Sequence, residues 1–331
     1  MYTGFSPKAE AIAYANEHFK NIKFVFSGAG SDIVQLADDM KTIISTPKKL
    51  IPGVANSEGT GYEGHEFFEA SSMRKFDGRY YFIYSTIVNH ELAYAVSDYP
   101  DRDFVYAGLL HSNADLGYQG NTVAKYYGGN NHGSIVKVLD QFYIFGHRQT
   151  GYNEYSRQGV AEKLVRRADG TFEMAEMTSC GLNNGPLIGL GRYSAGIACN
   201  LWSAQGAMKV FDMLFAKKQT EHPRITQSGQ DRESDADQYI TNLQSGGTVG
   251  FKYFDFKQPQ VVAVEMRGTG TGEMHVKTAE DSAVIATIAI TPTTDWTWFS
   301  ADIATTVNGV LPLYFEYRGT ESVEFRTFEL K

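Results

Sequence analysis

The sequence is poor in the residues that mark several common classes of protein. It has two cysteines, Cys180 and Cys199, in 331 residues. Two are too few for a disulfide framework, and their spacing is not that of a zinc site. No apolar run approaches the ~20 residues of a membrane span, and the N-terminus lacks the basic and apolar regions of a signal peptide. Lys and Arg number 30 against 38 Asp and Glu, and this acidic balance disfavours nucleic acid as a partner.

Aromatic residues and glycine are plentiful by contrast. The chain contains 20 Tyr, 21 Phe and 33 Gly. Tyr and Phe favour strands, and Gly is typical of the turns between them. Flat aromatic rings with polar edges also suit sugar rings, which have apolar faces and polar rims. Composition alone leaves two interpretations open, an ordinary β protein or one directed at carbohydrate.

The hydrophobic pattern predicts one early helix followed by short strands. Ser6 and Pro7 suit the start of a helix that we expect over Ser6–Lys20. A hairpin is predicted from Phe67–Phe76 and Arg79–Thr86, because Asp77-Gly78 between them favours a tight turn. The other predicted strands of this region are Asp32–Leu36, Glu91–Ser97, Phe104–Leu110, Gly133–Val138, Gln141–Gly146, Gln158–Leu164 and Glu173–Thr178.

The same order of strands occurs twice. Ala70 to Ser85 aligns loosely with Gly133 to Arg148, about 63 residues later, and each passage starts a unit of four strands. A recurring four-stranded unit predicts the blades of a β-propeller. A polar stretch at residues 217–237 then suggests a boundary, so we predict a propeller domain over 1–222 and a jelly-roll β-sandwich over 223–331.

Three side chains of the repeats are candidates for chemistry. Glu69 follows two phenylalanines, and an apolar collar raises a carboxyl pKa toward the value that an acid catalyst needs. His132 starts the equivalent strand of the next repeat and should point at the same axis, and Arg148 ends the following strand. The pattern leaves plainer interpretations open: a strand-edge glutamate paired with a base, a structural histidine and a surface arginine.

These places carry a resemblance to a known family. The motifs FFEASSMRK (67–75) and GRYYFIYS (78–85), with Asn130-Asn131-His132-Gly133-Ser134 and His147-Arg148, resemble glycoside hydrolase family 43 of the β-xylosidase and α-L-arabinofuranosidase type. Residues 225–331 resemble a family 6-like carbohydrate-binding sandwich. The resemblance implies an all-β chain with an incomplete five-bladed β-propeller, about three blades, ahead of the sandwich.

The resemblance also implies an activity and a site. It implies inverting hydrolysis of arabinofuranosyl or xylosyl linkages in hemicellulose, with arabinose- or xylose-containing oligosaccharides as partners. By motif, Glu69 is the general acid, His132 lies where relatives often hold calcium, and Arg148 lies near the sugar. Phe68 and Asn131 are expected to contact sugar as well. We expect Ca²⁺ at the propeller channel or in the sandwich, no organic cofactor, and neither nucleic acid nor a membrane as a partner.

The chain departs from the family pattern at its start. The family's general base and a second aspartate belong to blades that precede Tyr2-Thr3-Gly4-Phe5, and no Asp of this chain matches either motif. We therefore expect a homo-oligomer that completes the site, with Asp32, Asp115 or Glu66 as unsupported substitutes. Two other hypotheses stay open: a non-catalytic sugar-binding protein or degenerate fragment, and an artificial truncation of an ordinary enzyme.

Six aromatic residues are candidates for a sugar platform in the predicted sandwich, although alternating aromatics in a sandwich more often form its core. They are Tyr239, Phe251, Tyr253, Phe254, Trp296 and Trp298.

Overall fold

The computed structural model describes residues 30–151, 156–209, 221–229 and 237–331, and these residues are almost entirely β. They contain 21 strands, β1 to β21, and three single-turn 3₁₀ helices, Val54–Asn56, Tyr118–Gly120 and Ala195–Ile197. The predicted helix Ser6–Lys20 lies outside the described residues. None of the described helices is long and apolar enough to cross a membrane. The all-β fold class predicted from the sequence is confirmed.

The first part of the chain forms three antiparallel sheets. The first has two strands, the second has four and the third has three, and the strands of each sheet pair in chain order. Successive small antiparallel sheets are typical of propeller blades, and the number of about three blades stays a prediction. The strands are β1 (Ser31–Ile33), β2 (Lys48–Ile51), β3 (Phe67–Phe76), β4 (Arg79–Thr86), β5 (Leu92–Ser97), β6 (Val105–His111), β7 (Ser134–Val138), β8 (Gln141–Gln149) and β9 (Arg157–Leu164).

The two predicted hairpins form at the turns that the sequence indicates. Asp77 and Gly78 have φ values of 50° and 85°, the positive values that the tight Asp-Gly turn requires. Leu139 takes a φ of 53° in the turn between β7 and β8. The predicted strand Asp32–Leu36 is shorter than expected, since β1 ends at Ile33.

The predicted strand Glu173–Thr178 is wrong. The amide of Met177 donates to Asp115 Oδ1 at 2.7 Å, and the amide of Thr178 donates to Glu162 Oε1 at 2.6 Å. Because side-chain carboxylates accept from these amides, they are not available for a ladder with β9. Only an isolated bridge joins this segment to the end of β6, so the third sheet has three strands within the described residues.

The rest of the described chain forms a sandwich of two six-stranded sheets. One sheet has the order β10-β15-β20-β17-β18, with β12 also on β15; the other has β13-β14-β21-β16-β19, with β11 also on β21. Phe251, Phe315 and Phe328 lie in its core with no solvent exposure. The strands are β10 (Leu187–Ile188), β11 (Gly191–Ser194), β12 (Asn200–Trp202), β13 (Arg224–Ser228), β14 (Asp237–Leu243), β15 (Thr248–Lys257), β16 (Val261–Gly268), β17 (Thr271–Lys277), β18 (Val284–Ile290), β19 (Thr293–Asp302), β20 (Asn308–Thr320) and β21 (Val323–Leu330).

Three strands of the sandwich come from the part of the chain that the sequence assigns to the first domain. β10 and β12 pair with β15, and β11 pairs with β21. Tyr126 and Tyr127, which precede the second hairpin, also pack in the sandwich core. The division between residues 222 and 223 stays a prediction, but hydrogen bonds and a shared core join the two parts into one continuous structure.

Candidate functional site

Glu69 lies in β3 where the strand is irregular. The register with β4 shifts on both sides of Glu69, and Ala70 has a φ of 61°. A non-glycine residue in this region costs about 1 kcal/mol or more, and such strain is typical of positions that aim a functional side chain. The Phe67 ring packs on Phe82 and Tyr84, which anchors the backbone just before Glu69.

Glu69 contacts His132 of the neighbouring blade. Glu69 Oε1 lies 2.7 Å from His132 Nε2, and the side chains are 13% and 34% exposed. Beside this contact, a 2.6 Å hydrogen bond between the hydroxyls of Ser72 and Ser134 joins the two blades. The repeat predicts that Glu69 and His132 point at one axis, and the structure brings them together.

His147 and Arg157 extend this cluster. The His147 ring packs edge-on against the His132 ring, with centroids 4.9 Å apart, and Arg157 Nη1 lies 3.2 Å from His147 Nε2. Because a guanidinium only donates, His147 Nε2 must accept and the ring must be neutral. Burial and the charge of Arg157 lower the pKa of His147 to about 4, which agrees with a neutral ring.

Phe68 forms part of the wall beside Glu69. Its ring packs edge-on against His90, with centroids 5.0 Å apart. His90 has a φ of 51° in the turn between β4 and β5, and the buried Glu91 carboxylate secures that turn through a 2.7 Å bond from the Thr86 hydroxyl. Burial lowers the pKa of His90, and the charge of Glu69 opposes this lowering. A sugar contact by Phe68 stays a prediction.

Asn131, the other predicted sugar contact, is completely buried. Its amide nitrogen lies 3.4 Å from His111 Nδ1, and His111 Nε2 lies 3.3 Å from the Met177 sulfur. Because the amide donates, Nδ1 accepts and the His111 proton sits on Nε2. Burial, followed by the charge of Arg148, lowers the pKa of His111 to about 4. In this structure the Asn131 side chain contacts the buried His111. A sugar contact by Asn131 stays a prediction.

Arg148 is only 2% exposed, and its guanidinium is fully engaged. It donates to Gln158 Oε1 at 2.7 Å, to the Gly196 carbonyl at 2.9 Å and to the Ala198 carbonyl. These acceptors hold the end of β8 against the turn that precedes β12. The structure does not bring Arg148 together with Glu69, so its predicted position near the sugar is not supported by a contact here.

The alternation of side chains along β8 could have predicted that Arg157, and not Arg148, lies beside His147. Successive side chains of a strand point to opposite faces, so His147 and Arg148 cannot both face the same axis. Arg157 pairs with Gln149, and Gly159 pairs with His147. A residue opposite Gln149 shares the His147 face, and the glycine leaves room for Arg157 to reach the imidazole.

The three carboxyl groups named as substitutes for the general base, Asp32, Asp115 and Glu66, make contacts of their own. All of them are engaged by other side chains, and Asp115 and Glu66 are also buried. Asp32 pairs with Lys49 at 3.0 Å, Asp115 pairs with Lys252 at 2.7 Å, and Glu66 accepts from the Ser57 hydroxyl at 3.0 Å.

The described residues do not fit a calcium ion at the predicted position. Calcium takes about 6–8 oxygen ligands. Across the described ranges, no group of three or more His, Cys, Asp or Glu side chains is arranged to hold a metal ion. The Nε2 atom of His132, the predicted ligand, contacts Glu69.

The candidate platform aromatics of the sandwich separate into two groups. Phe251 and Phe254 are fully buried core residues, and the Tyr253 hydroxyl donates to Glu176 at 3.0 Å. The other three belong to the sheet that contains β14 and β19. The Tyr239 ring packs edge-on against Trp296 with centroids 5.3 Å apart, the guanidinium groups of Arg267 and Arg326 lie 4.4 Å and 4.5 Å from the centroid of Trp296, and Trp298 is 36% exposed.

Comparison with known proteins finds curated relatives, while no family model matches the chain. The chain is 41% identical over 333 aligned residues to a xylosidase/arabinosidase of Thermoclostridium stercorarium, with 100% of this chain and 67% of that protein covered. It is 32% identical over 120 residues to a β-xylosidase of Xylanibacter ruminicola, covering 35% of this chain and 33% of that protein. The chain thus spans about two thirds of the first relative and one third of the second.

Similar solved structures include enzymes and sugar-binding modules. A glycoside hydrolase family 43 arabinoxylan arabinofuranohydrolase from Bacillus subtilis, in complex with cellotetraose, has a TM-score of 0.44 at 19% identity, covering 91% of this chain and 59% of that one. A family 6 module from Clostridium stercorarium with cellobiose has a TM-score of 0.35 at 14% identity, covering 45% and 98%. A family 43 β-xylosidase/α-arabinofuranosidase from a compost metagenome, described as a calcium-free form with xylotriose, has a TM-score of 0.35 at 28% identity, covering 44% and 42%.

Proposed function

The chain belongs to glycoside hydrolase family 43, the family of xylosidases and arabinosidases, and from that membership we propose that it hydrolyses arabinofuranosyl or xylosyl linkages of plant hemicellulose with Glu69 as the general acid. The observation that carries the proposal is the placement of Glu69. It is a carboxyl group with 13% exposure, on a strained strand, in contact with a neighbouring histidine. The relatives are glycosidases by description, which supports the same reaction class for this chain.

The surroundings of Glu69 suit proton donation. A general acid must carry a proton to the glycosidic oxygen as the bond to the sugar breaks. The 2.7 Å contact with His132 fixes the direction of the carboxyl group. His147 is neutral, so it adds no positive charge that would favour loss of the Glu69 proton. Arg157, whose planar guanidinium carries five N–H donors, lies at the edge of this cluster and is suited to bind sugar hydroxyls.

The reaction also needs a second carboxyl group, and we assign it to a second copy of the chain. An inverting hydrolase places its two carboxyl groups about 6.5–9.5 Å apart, with a water between the base and the sugar. Exposed apolar side chains between β1 and β2 support an assembled form: Met40, Ile43 and Ile44 are 74%, 60% and 57% exposed. Surfaces of this kind commonly mark protein contacts.

Light scattering tests the assembly. A chain of 36.8 kDa should give a multiple of that mass. Ile43→Asp places a charge in the proposed contact and should lower the mass to one chain. Val105→Asp changes a residue that is 65% exposed in the neighbouring sheet and should leave the mass unchanged. A wild-type mass of one chain would overturn the composite site.

Hydrolysis of aryl arabinofuranosides and aryl xylosides tests the activity. Wild type should release the phenol from at least one of them, and Glu69→Gln should be slower by about 10²-fold or more. Glu58→Gln is the matched control, because Glu58 is an exposed glutamate ahead of β3. Equal rates for wild type and Glu69→Gln would remove Glu69 from the reaction.

A second function is favoured by one observation, the engagement of Asp32, Asp115 and Glu66 elsewhere. Without a base, the same site would bind sugar and not cleave it. Calorimetry with xylo-oligosaccharides and arabinoxylo-oligosaccharides separates the two functions. Binding without hydrolysis in the assembled protein would support the sugar-binding function, whereas turnover would exclude it.

A further inference from the structure

A buried lysine of the sandwich lies between two carboxylates of the first part of the chain. Lys252 Nζ, in β15, is 2.7 Å from Asp115 Oδ2 and 2.8 Å from Glu176 Oε1. The Lys252 and Asp115 side chains are 7% and 5% exposed. A buried ion pair of this kind holds its partners in one geometry, because separating them would leave an unpaired charge in the interior.

The Asp115 carboxylate also binds the segment that follows β9. Its second oxygen accepts from the Met177 amide at 2.7 Å, and the Met177 sulfur lies 3.3 Å from His111 Nε2. The sandwich also holds this segment directly, since the Ser179 amide donates to the Lys252 carbonyl at 2.6 Å. The segment is therefore fixed between β15 and the end of β6.

The remaining contacts connect His111 to Glu69. His111 Nδ1 is 3.4 Å from the amide nitrogen of Asn131, which directly precedes His132 in the chain. His132 Nε2 is 2.7 Å from Glu69 Oε1. His111 and Asn131 are 1% and 0% exposed, so this part of the path is packed on all sides. Packed interiors transmit small displacements because their side chains cannot relax independently.

We propose that Asp115 is a positioning residue for the Glu69–His132 pair, and that Lys252 of the sandwich holds Asp115 in place. The sandwich then positions the Glu69–His132 pair through the contacts from Lys252 to Asn131. Its role is therefore not limited to sugar binding. The inference rests on the proposed role of Glu69 as the general acid. Glu176 contacts the same lysine and the Tyr253 hydroxyl but does not accept from the Met177 amide, so it provides a comparison for Asp115.

The test compares Asp115→Ala, Asp115→Asn and Glu176→Gln in the full chain. Asp115→Ala and Glu176→Gln each remove one carboxylate from Lys252, and only the first removes the acceptor of the Met177 amide. We expect Asp115→Ala to lower kcat by about tenfold with KM within about twofold of wild type. Asp115→Asn keeps an acceptor oxygen for the Met177 amide but gives up the ion pair with Lys252, so its kcat should lie between those of Asp115→Ala and wild type, and Glu176→Gln should resemble wild type. Equal losses for Asp115→Ala and Glu176→Gln would overturn the proposal.

Spectra of histidine labelled with ¹⁵N give a readout that does not depend on turnover. The His132 signals are assigned with His132→Gln. Asp115→Ala should move the His132 ring signals, and Glu176→Gln should leave them in place. If the wild type is inactive, the proposed function fails and these spectra still decide the positioning role. If Asp115→Ala does not fold, Asp115→Ser, whose hydroxyl is too short to reach Met177, takes its place. Unmoved His132 signals would overturn the inference.

Discussion

His111 should make the folded chain sensitive to acid. The imidazole is 1% exposed, with Nδ1 accepting from Asn131 and Nε2 facing the Met177 sulfur. Protonation would add a proton to Nδ1, which faces the amide nitrogen of Asn131, and that nitrogen is itself a donor. The unfolding free energy should therefore fall as the pH falls.

The size of the effect follows from the shift in pKa. The pKa of His111 is about 6.5 in the unfolded chain and about 4 in the folded one. Between these values the unfolded state binds more protons, so stability rises with pH and is lost as the pH falls. The loss is about 2 kcal/mol between pH 7.5 and pH 5 and reaches about 3 kcal/mol near pH 4.

Urea unfolding at pH 7.5, 6 and 5 measures this loss. Other histidines titrate as well, so the informative quantity is the difference between wild type and His111→Gln at each pH. Wild type should lose about 2 kcal/mol more than His111→Gln over this range. Met177→Leu is the control, since it alters packing beside the ring but keeps the imidazole, and it should lose stability in parallel with wild type. Parallel curves for wild type and His111→Gln would refute the reasoning.

Two further predictions concern the arginines and the division of the chain. Arg157→Ala should lower kcat/KM by about tenfold with little change in stability. Arg148→Ala should lower the unfolding free energy by about 3 kcal/mol, because it leaves buried acceptors unpaired. Urea unfolding and the aryl glycoside assay separate the two effects, and equal losses of stability in the two variants would contradict this prediction. A chain of residues 223–331 lacks β10 to β12 and should unfold at lower urea than a chain of residues 186–331, and equal midpoints would show that these strands are dispensable.

Local turn chemistry explains why the hairpins were predictable. Asp77-Gly78 takes positive φ values that few other pairs adopt, and this two-residue turn pairs Phe76 with Arg79, which sets the register of the hairpin. The repeat of that pattern was enough to bring Glu69 and His132 to one axis. The hairpins depend on residues that are close in sequence, and the repeat supplies the longer-range placement of Glu69 and His132, so the pattern alone predicts both.

Other features depend on distant partners and were not predictable. Amides in Glu173–Thr178 bond to the carboxylates of Asp115 and Glu162, so a segment with strand-like composition forms no strand. β10 to β12 join the sandwich through pairing with strands far along the chain. Arg148 was expected near the sugar because its motif resembles that of family 43, whereas strand parity puts Arg157 on the His147 face, where it contacts His147.

The most direct test of the central claim measures how Glu69→Gln responds to the leaving group. A general acid matters most when the departing oxygen is strongly basic, because such an oxygen must be protonated as it leaves. On a xyloside or arabinofuranoside with an alkyl or sugar leaving group, Glu69→Gln should be slower than wild type by about 10³-fold. On a dinitrophenyl glycoside it should stay within about tenfold of wild type. The same loss on both substrates, or no loss on either, would contradict the assignment of Glu69 as the proton donor.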